Sequence, residues 1–290
     1  MITHSGSIVG AKGNLVAIDC KACEFIHLDP IPDTEIYRDG TYHKVVKPAM
    51  LDEHTEDGRW WDATYGDWFT LIGKHSLSGY RSLLDIGSGT GDFVKAADAW
   101  GFKSNGIEPD KDMAALDKDV WNCEYGDVED NWQWEIISCH WAMEHFYDPS
   151  HFLNWTRDKL MEDGLLLATI PNDFSAIQKN AVSQSVLFDS DIADYYWLNE
   201  HHVNYWNYDS FYKFLNRHGY DILEVYGSWE PERYLLKGMN YLNNHLLGRR
   251  LHSTRKQSDL AMTREERIDK YLKLGREGRG RDLTFLARKI

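Results

Sequence analysis

The chain has 290 residues, 42% apolar and 27% charged, the balance of a soluble globular protein long enough to bury a core without disulfide staples. A net charge of −14 disfavours generic nucleic-acid binding, and no apolar run approaches the roughly 18 residues of a membrane span. Four scattered cysteines exclude a disulfide framework, and the opening Met1-Ile-Thr-His-Ser-Gly6 lacks the features of a secretory signal, so a cytoplasmic location is expected.

Residues 1–58 form an N-terminal segment punctuated by Gly10, Gly13, Pro30, Pro32, Gly40 and Pro48, with short β-rich pieces at 15–18 and 25–28. Trp60, Trp61, Tyr65, Trp68 and Phe69 then recur at helical spacing, which predicts a buried amphipathic helix over 59–74. Beyond residue 80, strands alternate with helices. Strands are predicted at 82–86, 104–107, 136–139 and 165–170, and helices at 92–100, 110–119 and 151–161. Two more strands, 220–226 and 283–287, flank a largely helical stretch, 231–281. This order implies a doubly wound, mostly parallel sheet with helices on both faces and a helical insertion before the last strand. It divides residues 59–290 into a ligand-binding half, 80–171, a lid or acceptor region, 172–215, and the basic insertion.

Charge is unevenly distributed. Residues 231–290 carry fifteen Lys/Arg against seven Asp/Glu, leaving −22 on residues 1–230. The basic segment can meet an anionic substrate or pair internally with nearby acids.

The sharpest local feature is Leu83-Leu-Asp-Ile-Gly-Ser-Gly-Thr-Gly91, a strand feeding a Gly-rich turn and then a helix. Glycines there let backbone approach a ligand at a helix N-terminus. Their G-x-G-x-G spacing differs from the dinucleotide G-x-G-x-x-G, which disfavours a nicotinamide oxidoreductase. Glu108 ends the next strand about twenty residues on, where a carboxylate can accept both hydroxyls of a ribose.

Residues 84–91 resemble motif I of the class I S-adenosylmethionine-dependent methyltransferases. Glu108 is similar to that family's ribose-binding acid, and Gly126-Asp127-Val128 to its adenine-side motif. Ile136-Ile-Ser-Cys-His-Trp-Ala-Met-Glu-His145 resembles the fourth-strand segment, and 160–171 the turn and fifth strand. The resemblance implies a Rossmann-like seven-stranded sheet and S-adenosylmethionine as cofactor, leaving S-adenosylhomocysteine as product. It also implies cofactor contacts at Asp85, Gly87, Ser88, Gly89, Gly91, Phe93, Glu108, Pro109, Asp127, Val128 and His140. Asp85 would approach the ammonium, and apolar side chains near Pro109 and Val128 the adenine.

Methyl transfer from a sulfonium chiefly needs an oriented acceptor and a base for its proton. His145, directly after the fourth strand, is the first candidate. Glu144 and His140 are weaker ones. Glu200-His-His-Val-Asn-Tyr-Trp206 offers His202, with a helix cap or buried backbone partner as its plain alternative. Asn172 and Asp173 end the fifth strand at the same rim. The Asn/Asp-Pro-Pro-aromatic tetrapeptide of nucleobase and glutamine methyltransferases is absent.

Cys20-Lys-Ala-Cys23 supplies two zinc ligands, and His27 and His4 would complete a Cys2His2 set. A turn with two reduced thiols is the alternative. This segment also resembles the metal-binding N-terminal piece of small-molecule and sugar methyltransferases, which usually carry two cysteine pairs. The leading expectation is a methyltransferase acting on oxygen or nitrogen of a sugar, sugar nucleotide or phosphorylated metabolite. A protein or RNA methyltransferase, or a non-catalytic partner with the same fold, are the competing classes. Acceptor identity and oligomeric state are not legible.

Overall fold

The computed structural model describes residues 4–32, 37–38, 40–41, 44, 50–76, 79, 82–184, 192, 198 and 201–290. The chain packs as two compact units interleaved along the sequence. One comprises Asp33–Thr169, Leu215–Val225 and Thr284–Ile290, the other Met1–Pro32, Ile170–Phe214 and Tyr226–Leu283. The first holds the Gly-rich turn expected to meet a cofactor and the second holds residues 172–214 of the region expected to meet an acceptor, so they carry the names cofactor unit and acceptor unit.

A seven-stranded sheet organises the cofactor unit. Its strands are β4 (Ser82–Ile86), β5 (Lys103–Ile107), β6 (Val120–Trp121), β7 (Trp134–His140), β8 (Leu160–Pro171), β10 (Tyr220–Gly227) and β11 (Asp282–Lys289). They lie in the order β10-β11-β8-β7-β4-β5-β6. The pairs β6·β5, β5·β4, β4·β7 and β7·β8 are parallel. Leu83, Leu84, Ile136, Ile137, Leu165 and Leu166 are fully buried. Near-continuous apolar strands are what a sheet covered on both faces requires.

Helix Met50–His75 presents Tyr65, Trp68, Phe69 and Ile72 to the interior, and Phe69 packs on Phe93 of helix Asp92–Ala99 at 5.1 Å between rings. Helix Pro149–Lys159 begins where Asp148 accepts from the His151 amide and Pro149 supplies a preset first turn. Each expected strand and helix of this unit is present except one. The helix expected over 110–119 is a single turn, Lys111–Ala114. Asp110 accepts from the amides of Asp112 and Met113, and Asp117 then captures the amide of Asp119 at 2.8 Å. Aspartate side chains thereby compete with the helical ladder and close it early.

In the acceptor unit β1 (Gly6–Lys12), β2 (Leu15–Cys20), β3 (Phe25–Leu28) and β9 (Asn204–Tyr205) form a second, antiparallel sheet. Ala17, Ile26, Leu28, Phe174, Leu198 and Tyr205 make its core. Strand β1 was not expected, because its mostly exposed, Gly-containing sequence has no apolar alternation. Residues 231–281 contain the expected helices, Glu232–Leu235, His245–Leu260 and Arg264–Arg276, the last opened by a Thr263–Glu266 capping box. Among the described residues no helix is long and apolar enough to cross a membrane.

Candidate active site

The Gly-rich turn after β4 folds as its spacing predicts. Gly87, Gly89 and Gly91 have φ of +70°, +53° and +75°, the left-handed region that disfavours side chains. A Cβ on Gly87 would lie 2.9 Å from the Ala142 Cβ, and one on Gly91 2.8 Å from the Asp117 Cβ. Amides of Gly87 and Ser88 both donate to the Ile107 carbonyl, which ties the turn to the end of β5.

Glu108, at that strand end, is buried. Its Oε2 accepts from the Gly89 amide and its Oε1 from the Asp110 amide, each at 2.9 Å. The cradle and the acid are thus one hydrogen-bonded piece. Asn122 donates to the carbonyls of Glu108 and Pro109, fixing the turn that follows. Val128 is buried, whereas Asp127 is exposed and accepts from the Glu124 amide at 3.0 Å, capping its own turn.

Asp85 is 3% exposed and accepts from the Ser138 hydroxyl at 2.7 Å. Burial pushes its carboxyl up to about 7, and the nearby Glu108 charge adds to the rise against the Ser138 bond. A buried acid with one neutral donor suits a cationic group, and the left-handed glycines beside it keep the turn free of side chains. The residues therefore fit S-adenosylmethionine, whose ammonium and ribose need one acid each.

Phe93 packs among Tyr65, Trp68 and Phe69. His140 stacks on Trp68 at 4.7 Å and 12°, with its Nδ1 2.8 Å from the Thr169 hydroxyl. Burial lowers its pKa to about 3, so this imidazole is neutral. His145 follows β7 in a tight turn, and its Nδ1 lies 2.8 Å from the Tyr37 hydroxyl. Tyr37 carried no sequence signal, since only the fold brings a residue 108 positions away to that histidine.

In the acceptor unit, Arg281 donates to Asp173 Oδ1 at 3.0 Å, and the other carboxylate oxygen faces His202 Nδ1 at 3.8 Å. Burial would raise the Asp173 carboxyl, but the Arg281 and His202 charges outweigh it and hold it below the usual range. An ionised carboxylate is thus held against an imidazole. Asn172 donates to the carbonyls of Gly278 and Gly280. Glu200 lies outside the described residues.

This unit also contains an open cleft of about 240 Å³ whose lining includes Trp229, Tyr241, His252, Arg255, Arg281 and Asp282. The Arg255 guanidinium sits over the Trp229 ring, 5.3 Å from its centroid. Arg281 and Arg255 carried no motif; only a charge count over 231–290 pointed to this region. Glu232 is fully buried, and neither of its carboxylate oxygens has a hydrogen-bond partner among the described residues. Burial pushes it up to about 7 despite Arg281 nearby.

The four N-terminal candidates converge. One donor atom from each of His4, Cys20, Cys23 and His27 lies within 4.8 Å of every other. His4 Nδ1 is 3.1 Å from His27 Nε2, 3.7 Å from Cys20 Sγ and 3.4 Å from Cys23 Sγ. Tetrahedral zinc with bonds of about 2.0–2.3 Å has ligand–ligand edges of roughly 3.3–3.8 Å, so the set needs little adjustment. The Leu28 carbonyl can only accept, so its 2.7 Å contact puts the His27 proton on Nδ1 and turns Nε2 inward. Burial opposes ionisation of Cys20, but backbone amides in the 20–23 turn and the two imidazoles bring its thiol down to about 6.

Comparison with known proteins places these features in a family. A profile described as a methyltransferase domain matches residues 51–225, more than half of the chain. No curated protein matches the sequence. Among solved structures, the plantazolicin methyltransferase BpumL in complex with SAH is 14% identical, with TM-score 0.50, and the match covers 90% of this chain and 98% of that one. Magnesium protoporphyrin IX methyltransferase (ChlM) from Synechocystis PCC 6803 with bound SAH is 10% identical, with TM-score 0.55, covering 89% and 100%. At such identities the likeness is one of fold. With the profile match, the Rossmann-like sheet and the glycine cradle joined to Glu108, the chain belongs to the methyltransferase-domain family as a class I S-adenosylmethionine-dependent methyltransferase.

Proposed function

We propose that this methyltransferase acts on an oxygen or nitrogen of a small anionic molecule: a sugar nucleotide, a phosphorylated metabolite or an acidic sugar. The observation that carries the reading is the acceptor-unit cleft, which Arg255, Arg281 and His252 line together with Trp229 and Tyr241, the Arg255 guanidinium lying over the Trp229 ring. Guanidinium groups suit phosphate or carboxylate, and aromatic rings suit a sugar face or a base. Elsewhere in 231–281 part of the basic surplus is paired within the unit, Glu230 holding Arg233 and Arg279, and Asp259 holding Lys270. That pattern argues against an open nucleic-acid surface.

S-adenosylmethionine supplies an already activated methyl group on a sulfonium, so little covalent chemistry falls to the protein. Asp85 would receive the cofactor's ammonium, Glu108 its ribose hydroxyls, and the backbone of residues 87–91 its methionine moiety. Gly89 and Gly91, with Ser88, Phe93, Pro109, Asp127, Val128 and His140, complete that contact set. His202 takes the acceptor proton, with Asp173 orienting the imidazole and stabilising its protonated form, as a buried carboxylate does for a catalytic histidine. His145, steered by Tyr37, is the second candidate base. A structural zinc on His4, Cys20, Cys23 and His27 completes the cofactor set. All four cysteines are unbridged, which fits the reducing cytoplasm.

The test has two parts. Thermal stability titrated with S-adenosylmethionine and S-adenosylhomocysteine, with NAD and ATP as controls, should rise only with the first two. Release of S-adenosylhomocysteine is then screened over phosphorylated sugars, sugar nucleotides and uncharged analogues. Turnover should favour the charged acceptors, and Arg255→Ala should raise their KM about tenfold. Turnover confined to uncharged acceptors would refute the anionic reading.

A further inference from the structure

The N-terminal sheet has an odd economy of contacts. Strand β9 is two residues long, too short to hold a conformation by itself, and pairs only with β3 among the described residues. In that pairing His27 stands opposite Asn204 and Ile26 opposite Tyr205, while the Leu28 amide donates to the Val203 carbonyl at 2.9 Å. One of the two cluster histidines, His27, thus sits on the strand that fixes residues 203–205, directly after His202.

The same hairpin backs both members of the Asp173–His202 pair. Phe174, next to Asp173, and Tyr205 meet edge to face at 5.8 Å, and both belong to one core with Ala17, Ile26 and Leu28. Phe25 packs on Trp206 at 4.1 Å, and the Asp173 amide donates to the Trp206 carbonyl at 2.6 Å. Between β2 and β3 the turn carries Glu24 at φ of +62°, and there His4 Nδ1 lies 3.7 Å from Cys20 Sγ and 3.4 Å from Cys23 Sγ. A metal held by the four donors would tie His4 and that turn to His27 on β3.

We infer that zinc at His4, Cys20, Cys23 and His27 is the positioning device for the acceptor-side base: it locks β2 and β3, β3 locks β9, and β9 with Phe174 fixes His202 against Asp173. The inference rests on the zinc and base assignments proposed above. It predicts that metal loss loosens the acceptor unit while leaving the glycine cradle intact, so cofactor binding and base positioning come apart.

The experiment uses the full chain as purified. Zinc content is measured first, then hydrogen exchange of the zinc-loaded protein, of the same protein after chelation, and after zinc is restored. Exchange of peptides spanning 14–28 and 203–207 should quicken at least tenfold on chelation and recover with zinc. Peptides covering 82–91, and the affinity for S-adenosylhomocysteine, should stay within twofold. In NMR spectra the His202 ring signal, identified by its loss in His202→Gln, should move on chelation toward the position of an unpaired histidine. His4→Cys retains a four-donor set and should behave like the parent chain, whereas His4→Ala should mimic chelation. A protein that neither contains zinc nor takes it up removes the metal assignment, and the inference with it. Zinc that binds and leaves while 203–207 exchange and the His202 signal are unmoved overturns the positioning role alone. Loss of protection at 82–91 as well overturns it too, because zinc would then support the whole fold.

Discussion

Asp85→Asn should stabilise the ligand-free protein above neutral pH while weakening cofactor binding. Asp85 is 3% exposed, and burial raises its carboxyl from 3.8 to about 7. A group whose pKa rises on folding contributes stability that is fully present below its unfolded value and is lost as pH climbs through the folded one. The interval corresponds to about 4 kcal/mol at about 1.4 kcal/mol per pH unit, all of it lost by pH 8. Asparagine keeps an oxygen for the 2.7 Å Ser138 hydrogen bond and carries no charge to desolvate. The variant should therefore unfold up to about 8 °C higher than the parent at pH 8, taking roughly 2 °C per kcal/mol for a chain of this size. Near pH 4 the two should converge. Cofactor affinity should change in the opposite sense. The parent should bind S-adenosylmethionine about tenfold more weakly at pH 6 than at pH 8, because the ammonium selects the ionised carboxylate. The variant should bind weakly with that pH dependence reduced. Melting curves between pH 4 and pH 8.5, with calorimetric titrations between pH 5 and pH 8.5, measure both. Parallel melting profiles for the two proteins would falsify the buried-acid argument, and equal affinities would remove Asp85 from the ammonium site.

Glu108→Ala should cost at least a hundredfold in S-adenosylmethionine affinity by calorimetry. It deletes the carboxylate proposed to accept from the ribose and frees the Gly89 amide now held at 2.9 Å. Glu232→Gln should raise the melting temperature above pH 7 and leave it unchanged near pH 4, since this buried acid is also raised to about 7; an identical profile would show its charge to be compensated. His202→Gln should lower kcat by about a hundredfold or more on any acceptor that the screen finds, leaving S-adenosylhomocysteine affinity within twofold. If His145→Gln shows that loss instead, the base is His145. Arg281→Ala should reduce kcat less than His202→Gln does, because it removes the guanidinium 3.0 Å from Asp173 without removing the base.

Local chemistry determined much of this protein in advance. Three glycines forced into left-handed backbone, a carboxylate at the end of the next strand, and apolar runs at 82–86, 136–139 and 165–170 dictate a βα ligand crevice wherever the chain folds. The Cys-x-x-Cys pair likewise marked the turn between β2 and β3. These features act over a few residues, so the order of side chains along the chain carries them. Asp110 and Asp117 mark where that reading failed, because short acids capture backbone amides and end a helix that apolar spacing alone would extend. What only tertiary structure decided are the pairings across long stretches of chain. Folding sets Arg281 against Asp173, Tyr37 against His145, and His4 among donors sixteen to twenty-three residues away. It also buries Asp85 and Glu232, and that desolvation, absent from any linear pattern, sets how each acid titrates.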